Sequence, residues 1–208
     1  MSENLIPFFT SDQHFDHYNP NTGRGILLFQ KDTRPFETIK EMNHAWIDAW
    51  NKKVPEKGAI VYCLGDLVFG GFERFRFLVE QLHFDVLEII PGNHDSWINR
   101  KRGQYDINLI MSERKVIVRP LYHQIEVEGQ KVVLCHFPMR SWNASYHGSW
   151  HLYGHVHRYI EPWGMSMDVG VDGAEGVPYS WKEVCEWMEQ RELELKVLRK
   201  EKKNDERI

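Results

Sequence analysis

The stretch GAIVYCLGD, residues 58–66, decides the fold of this chain. A short apolar run bounded by glycines predicts a buried strand, because a strand covered on both faces does not alternate with polar residues. The run ends in Gly65-Asp66, so a carboxylate follows the strand directly. The segments on either side of this stretch show the same arrangement.

Two flanking segments also place polar side chains after an apolar run. LIPFFTSD, residues 5–12, ends in Ser11-Asp12, and FDVLEIIPGNHD, residues 84–95, ends in Gly92-Asn93-His94-Asp95. Between these runs, residues 36–50 and 71–82 carry apolar residues at helical spacing. The alternation of strands and helices predicts an α/β sheet with crossover helices.

The second half of the chain predicts further strands and a closing helix. The strand segments are VIVRP, HQIEVEGQKVVLCHFP with EGQK as a hairpin turn, WHLYGHVH and MSMDVGVD; the helix is SWKEVCEWMEQ. Because neither an internal repeat nor a linker interrupts the pattern, we expect a single domain over residues 1–190. Residues 191–208 form a charged C-terminal segment, which we expect to be partly frayed.

Composition narrows the class of partners. The chain has 208 residues, a net charge of -4 and an ordinary hydrophobic fraction of 42%. The acidic balance disfavours wrapping of a long nucleic acid, for which an excess of Lys and Arg is typical. The sequence contains neither a secretory signal pattern nor an apolar run of transmembrane length, so we expect no membrane partner. Three cysteines without metal-type spacing indicate reduced thiols and a cytoplasmic protein.

Polar side chains follow five of the predicted strands. They are Asp12, His14, Asp66, Asn93, His94, His136, His155 and His157. The carboxyl ends of strands are where α/β sheets assemble their sites, and residues i and i+2 of an extended segment face one side. The sequence therefore predicts that these side chains converge.

The chemistry of this set favours a pair of metal ions. Two carboxylates, one amide oxygen and four imidazoles, His94 apart, exceed what one tetrahedral ion needs but suit two ions that share a bridging carboxylate. Mixed nitrogen and oxygen ligands suit Mn, Fe or Zn better than Ca or Mg. Such a centre attracts phosphate, and a water between the ions becomes a hydroxide nucleophile at neutral pH.

The ordered blocks D-x-H, G-D, G-N-H-D, H and G-H-x-H resemble the calcineurin-like metallophosphoesterases, and in particular a small bacterial and phage subgroup. Here the blocks are Asp12/His14, Gly65-Asp66, Gly92 to Asp95, His136 and Gly154 to His157. The resemblance implies a two-sheet β-sandwich flanked by helices, α/β/β/α. It also implies hydrolysis of phosphoric ester bonds with two divalent ions from among Mn, Fe, Zn and Ni, of which we favour Mn.

The resemblance also implies individual roles. One ion would bind Asp12, His14, Asp66 and His157, and the other Asp66, Asn93, His136 and His155, with Asp66 bridging. His94 would act on the leaving oxygen of the substrate as a catalytic residue. Asp95 would orient His94, or alternatively would cap a following helix.

Residues around these blocks are candidates for substrate contacts. Arg34, Arg140 and Trp142 are predicted to touch the substrate. Asp168 and Asp172 are interpreted as structural, and His17 as a surface histidine of the loop.

Taken together, these features predict a phosphodiesterase acting on a small phosphorylated substrate, with nucleotides among the candidates. The alternatives are a phosphomonoesterase, a DNA nuclease, which the acidic balance disfavours, and a metal-binding scaffold that binds proteins without catalysis. The sequence does not indicate an oligomeric state.

Overall fold

The structure, a computed structural model, describes residues 5–95, 98, 108–111 and 114–205. The strands are β1 Ile6–Thr10, β2 Tyr18–Asn19, β3 Arg24–Gly25, β4 Ala59–Cys63, β5 Val86–Ile89, β6 Asn108–Met111, β7 Arg114–Val118, β8 Tyr122–Val127, β9 Gln130–Cys135, β10 Trp150–Tyr153, β11 Ser166–Asp168 and β12 Tyr179–Ser180. The helices are α1 Ile26–Phe29, α2 Ile39–Lys53, α3 Phe72–Val79 and α4 Trp181–Asp205.

Two sheets form the body of the molecule. The first has the strand order β12-β1-β4-β5-β7-β6, and β1, β4, β5 and β7 run parallel. The second has the order β11-β10-β9-β8, in which β11, β10 and β9 are parallel. Parallel neighbours end at a common edge, so the loops after β1, β4 and β5 start side by side.

Alternation along the strands creates two hydrophobic cores. In β1, Phe8 packs into the core that contains Trp50 of α2, and its neighbour Phe9 packs into the core shared with Leu152 of β10. Because successive side chains of a strand point to opposite faces, the first sheet is covered by helices on one face and by the second sheet on the other. Helix α4 contributes Met188 to the second core and contacts β1, β11 and β12.

This architecture confirms the predicted α/β fold with a two-sheet sandwich and flanking helices. The predicted hairpin turn is also confirmed, since Glu128 and Gly129 between β8 and β9 both have positive φ, as a type I′ turn requires. The small β2–β3 hairpin and α1 were not predicted. Helix α4 crosses residue 191 without a break, although the sequence suggested a frayed segment from that point.

The helices also bear on the question of a membrane. None of the helices in the described ranges combines the length and the hydropathy needed to cross a lipid bilayer.

Candidate metal centre

The ends of strands from both sheets deliver the candidate ligands. Asp12 and His14 follow β1, Asp66 follows β4, and Asn93 follows β5, all in the first sheet. His136 follows β9, and His155 and His157 follow β10, in the second sheet. The centre is therefore built across the sandwich, from loops that leave neighbouring strands.

Five of these residues have a left-handed backbone. The φ angles are 64° at Asp12, 52° at His14, 54° at Asp66, 76° at His155 and 52° at His157. Non-glycine residues rarely adopt positive φ, because Cβ crowds the backbone, and histidine and aspartate are among the few that tolerate it. A cluster of such residues typically marks a functional site, where the surrounding structure holds a costly conformation in place.

Carboxylates and imidazoles approach one another closely at this edge. Asp66 Oδ2 lies 3.5 Å from His14 Nε2 and 3.5 Å from His136 Nε2. Asp12 Oδ1 lies 3.8 Å from the Nε2 atoms of both His14 and His157. Two groups of candidate ligand atoms result, Asp12–His14–His157 and Asp12–Asp66–His136, each within 4.8 Å. Asp12 belongs to both groups and Asp66 to one of them, although Asp66 Oδ2 lies between two imidazoles. The bridging role of Asp66 stays a prediction.

Two buried atoms at the centre make no hydrogen bond within the described part of the chain. They are Asp12 Oδ1 and His14 Nε2. Leaving polar atoms buried and unpaired is costly, and a bound cation would satisfy both. Because the donors are imidazole nitrogens and carboxylate oxygens, the residues present fit divalent transition metals.

The remaining nitrogens of two imidazoles are held by the protein. His136 Nδ1 lies 2.7 Å from the Leu64 carbonyl oxygen, and His157 Nδ1 lies 2.9 Å from Asp172 Oδ2. An acceptor at Nδ1 fixes the proton there and leaves the Nε2 lone pair for a metal, which is the usual arrangement of ligating histidines. Asp172, which the sequence analysis interpreted as structural, therefore orients a candidate ligand.

His14 is held in a different way. Its Nδ1 lies 2.9 Å from Nδ1 of His17, whose ring stacks on Phe69 with centroids 3.6 Å apart. His17 is half-buried rather than a surface residue, and burial lowers its pKa to about 3. Nδ1 of a neutral His17 can accept a hydrogen bond from Nδ1–H of His14. The only sequence signal for this contact was the spacing of three residues between the two histidines.

Asn93 and His155 lie at the margin of the centre. Asn93 Oδ1 is 3.1 Å from His136 Nε2, close enough to share a ligand with it. The ring of His155 packs against that of His136 with centroids 5.1 Å apart, but His155 is in neither group of converging atoms. Its backbone N–H donates to Asp12 Oδ2 at 2.8 Å, so its main chain also positions a carboxylate.

His94 lies at the exposed side of the centre. Its ring is 5.4 Å from that of His14 and 4.8 Å from that of Phe69, between centroids. Its backbone N–H donates to Asp66 Oδ1 at 2.7 Å, which ties the position of His94 to the central carboxylate.

Asp95 differs from the expectation that it orients His94. Its carboxylate is buried and accepts hydrogen bonds from the backbone N–H groups of Asp66 and Gly92, both at 2.8 Å, and from that of Leu67 at 3.3 Å. Through these hydrogen bonds, the carboxylate of Asp95 holds the loop after β4 to the loop after β5. Burial and the charge of Asp66 raise the pKa of Asp95 to about 6.

Arg34 also differs from its expected role as a substrate contact. The residue is 1% exposed. Its guanidinium donates to both carboxylate oxygens of Asp172 and to the carbonyl oxygens of Asp12 and Gln13. The side chain therefore holds the backbone of the loop after β1 by hydrogen bonds, and its burial makes it inaccessible to a substrate.

Arg140 and Trp142 likewise make contacts within the protein. The Trp142 indole is buried against His151, and its N–H donates to Ser149. The exposed guanidinium of Arg140 lies over the ring of Trp163, 4.3 Å from its centroid. The substrate contacts predicted for these two residues stay predictions.

Electrostatics distinguishes the two central imidazoles. Burial lowers the pKa of His14 to about 4. Burial acts in the same direction on His136, but the hydrogen bond to Asp66 and the charges of Asp12 and Asp66 outweigh it and raise the pKa to about 9. Burial would raise the pKa of Asp66, yet His136 lowers it to about 2. Of these two imidazoles in the metal-free protein, His136 is therefore protonated at neutral pH and His14 is neutral.

Two glycines permit the close approach of the loops. A Cβ at Gly92 would clash with Asp66 Oδ1, and a Cβ at Gly154 would clash with Asp12 Oδ2 and Ser11 Oγ. Each carboxylate thus occupies the space that a side chain would need.

Comparison with known proteins gives a relative in sequence and a relative in fold. No protein-family model matches the chain. The uncharacterized protein MJ1445 of Methanocaldococcus jannaschii is 29% identical over 182 residues, which cover 83% of this chain and 85% of that protein. The protein of unknown function AQ665 from Aquifex aeolicus has a TM-score of 0.64 at 18% identity, over 88% of this chain and 100% of that one.

A described enzyme is also among the matching structures. A novel archaeal phosphodiesterase matches 80% of this chain and 82% of its own, with 16% identity and a TM-score of 0.39. In its ordered motifs the chain resembles the calcineurin-like metallophosphoesterases.

Proposed function

We propose that this chain is a calcineurin-like metallophosphoesterase that hydrolyses phosphodiesters with the help of two divalent metal ions. One observation carries the proposal. Asp66 Oδ2 lies 3.5 Å from Nε2 of both His14 and His136. A buried carboxylate between two imidazoles is the geometry expected where two ions share a ligand.

The ligands divide into two sets. The first ion would be held by Asp12, His14, Asp66 and His157, and the second by Asp66, Asn93, His136 and His155. Divalent ions held there would polarise a phosphate ester and provide hydroxide at neutral pH. We favour manganese among Mn, Fe, Zn and Ni, because imidazole and carboxylate donors suit it and no thiolate takes part.

The chain's own residues position the substrate and move the proton. His94 is exposed beside His14, and its backbone is tied to Asp66. From this position the imidazole protonates the leaving oxygen, a contribution typically worth about 10²- to 10⁴-fold in rate. Asp95 keeps the loops that carry Asp66 and His94 together through its hydrogen bonds to backbone N–H groups.

Hydrolysis of bis-p-nitrophenyl phosphate tests the proposal. Protein stripped with chelator and reloaded with Mn, Fe, Zn or Ni is expected to hydrolyse this diester, and more slowly the monoester p-nitrophenyl phosphate. If the monoester is the better substrate, the phosphomonoesterase alternative is correct. If none of the four metals gives activity, the non-catalytic scaffold is favoured.

The role of His94 needs a separate comparison. His94→Gln should lower kcat by about 10²-fold or more for a diester with a poor leaving group, and less for a p-nitrophenyl ester, which needs little protonation. His44→Gln, an exposed histidine of α2, provides the control. Equal losses for both leaving groups would contradict proton donation by His94.

The compartment follows from the cysteines. Cys63, Cys135 and Cys185 are free thiols. Because free thiols persist in reducing compartments, we propose a cytoplasmic location and a small phosphorylated substrate found there.

A further inference from the structure

A pocket of about 300 Å³ is lined in part by His157, and we call it the flank pocket. Its lining includes His157, Asp168, Tyr153, Tyr179 and Trp187. The size lies at the lower end of the range for small-molecule sites. Because His157 also contributes to the candidate metal centre, a ligand in the flank pocket would lie beside a phosphate bound at that centre.

The flank pocket contains a carboxyl group with spare hydrogen-bonding capacity. Asp168 Oδ1 accepts one hydrogen bond, from the backbone N–H of Gly170 at 2.8 Å, and the described residues supply no second donor. Asp172 is different, since it accepts from Thr33, Arg34 and His157. Of the two acidic residues in the segment DVGVD, only Asp168 therefore has a carboxylate oxygen left for a ligand.

Burial makes this unpaired carboxyl costly to the protein. It raises the pKa of Asp168 to about 7, and backbone hydrogen bonding to Gly170 offsets only part of the effect. Burial and the charge of Asp168 also raise the pKa of Tyr179. A ligand that donates hydrogen bonds to Asp168 would recover what the carboxyl loses on leaving water.

Two tyrosines extend the polar lining. The hydroxyls of Tyr153 and Tyr179 make no hydrogen bond to any residue that the structure describes. The rings of these residues, together with the indole of Trp187, give the pocket apolar walls. A few polar groups inside aromatic walls form an environment suited to a planar heterocycle that carries donors.

We propose that the flank pocket binds the base of a guanine nucleotide, with Asp168 accepting hydrogen bonds from its N1–H and N2–H groups. A carboxylate offers two acceptor oxygens side by side, and Oδ1 can accept from a ligand in addition to Gly170 because it has two lone pairs. Guanine offers two adjacent donors. Adenine and cytosine each place an acceptor next to their amino group, and uracil has one N–H between two carbonyls. This assignment rests on the proposed function and specifies its substrate as a phosphoester of guanosine.

Competitive inhibition of bis-p-nitrophenyl phosphate hydrolysis tests the assignment without knowledge of the natural ester. The inhibitors are GMP, AMP and ribose 5-phosphate, used with the manganese-loaded protein. We expect GMP to bind at least about tenfold more tightly than AMP or ribose 5-phosphate, because a buried acceptor discriminates strongly between a donor and its absence. If GMP has no advantage while the diester is hydrolysed, the guanine assignment is overturned and the proposed function stands.

Substitution of the carboxyl identifies the residue responsible. In Asp168→Asn, the ratio of the ribose 5-phosphate inhibition constant to the GMP inhibition constant should fall from about ten to about one, since an amide cannot accept both hydrogen bonds. Asp48→Asn makes the same chemical change on the exposed side of α2 and should keep the wild-type ratio. A wild-type ratio in Asp168→Asn, with a thermal melting temperature that shows a folded protein, would contradict the proposal.

A second measurement does not depend on catalysis. In calorimetric titrations of the metal-free protein in chelator, GMP should bind and ribose 5-phosphate should not. Tyr179→Phe removes a hydroxyl of the pocket lining and should weaken GMP binding about tenfold. If the diester is not hydrolysed with any metal but GMP binds, the phosphoesterase proposal fails and the flank pocket remains a guanine site. If neither GMP nor ribose 5-phosphate binds, the flank pocket is not a nucleotide site.

Discussion

The two halves of the candidate metal centre are built from similar ligands but are supported differently. The His14 half consists of Asp12, His14 and His157, and the His136 half of Asp66, Asn93 and His136. In the His14 half, side chains hold both imidazoles, through His17 and Asp172. In the His136 half, a main-chain carbonyl holds the imidazole. The imidazoles of the His14 half therefore depend on residues outside the five motif blocks, while the Nδ1 atom of His136 is held by a main-chain carbonyl.

The halves also differ in charge when no metal is bound. The pKa of His14 is lowered to about 4 by burial, and that of His136 is raised to about 9 because its hydrogen bond to Asp66 outweighs burial. The same residue type thus has opposite protonation at neutral pH in two adjacent positions. Both imidazoles are 1% exposed and lie 3.5 Å from Asp66 Oδ2. The difference arises because burial outweighs the hydrogen bond and charges of the aspartates at His14, whereas at His136 the aspartates outweigh burial. Four predictions use this comparison.

The largest effect is expected where the halves meet. Asp66→Asn removes the carboxylate that lies 3.5 Å from both imidazoles. We expect loss of metal from both halves and a fall in kcat of about 10³-fold or more, equivalent to about 4 kcal/mol. Metal analysis after gel filtration measures the first and diester hydrolysis the second. Retention of two ions per chain by Asp66→Asn would contradict the shared position of Asp66.

The next effect should be confined to the His14 half. Gly154→Ala forces a Cβ against Asp12 Oδ2 and Ser11 Oγ. Overpacking of this kind typically costs about 1 to 3 kcal/mol in the free energy of unfolding, and here it also displaces a ligand. We expect one ion to bind about 100-fold more weakly and the other nearly normally. Gly71→Ala is the control, because a Cβ there meets no atom within 4 Å.

The fold was largely predictable because its signals are local. The apolar run at residues 58–66 and the helical spacing at residues 36–50 each correspond to one element, β4 and α2. The β2–β3 hairpin was not predicted, since its two-residue strands lie in a loop rich in Asn, Gly and Pro and carry no period. A strand that short is specified by tertiary context rather than by its own sequence.

The site was predictable for the residues that the motif blocks contain and not for their supports. His14 and His136 follow strands directly, so topology alone brings them to one edge. Asp172 reaches His157 through a chain reversal after β11, and the same carboxylate binds Arg34 from 138 residues away. The sequence gives no distance information across such a separation. For this reason Arg34 was expected at the substrate and lies instead beneath the loop.

The third prediction concerns His17, the support that the sequence analysis treated as a surface residue. His17→Phe keeps a ring that can stack on Phe69 but removes the acceptor for His14 Nδ1. Loss of such an outer hydrogen bond typically weakens metal binding by about 10- to 100-fold. Calorimetry should show this for one of the two ions only. In His17→Gln the amide oxygen can accept the hydrogen bond from His14, so this variant should bind the ion more tightly than His17→Phe. Equal weakening of the binding of both ions would contradict the separate support of the two halves.

The smallest effect is on stability in the metal-free protein, where each half should control a different side of the pH profile. The raised pKa of His136 means that its charge stabilises the fold fully below about pH 6.5 and that this contribution is lost as the pH rises through 9. The lowered pKa of His14 means the reverse, so stability is lost as the pH falls from about 6.5 through 4. We expect changes on the order of 2 kcal/mol, measured by urea denaturation in chelator.

The test compares variants, because His17 and His151 also have lowered pKa values and contribute on the acid side. His136→Gln should flatten the alkaline side of the profile and, because His136 also lowers the pKa of Asp66, change the acid side less strongly. His14→Gln should do the opposite. If either variant changed both sides equally, the two imidazoles would titrate as one coupled unit, and the distinction between the halves would reflect their supports alone.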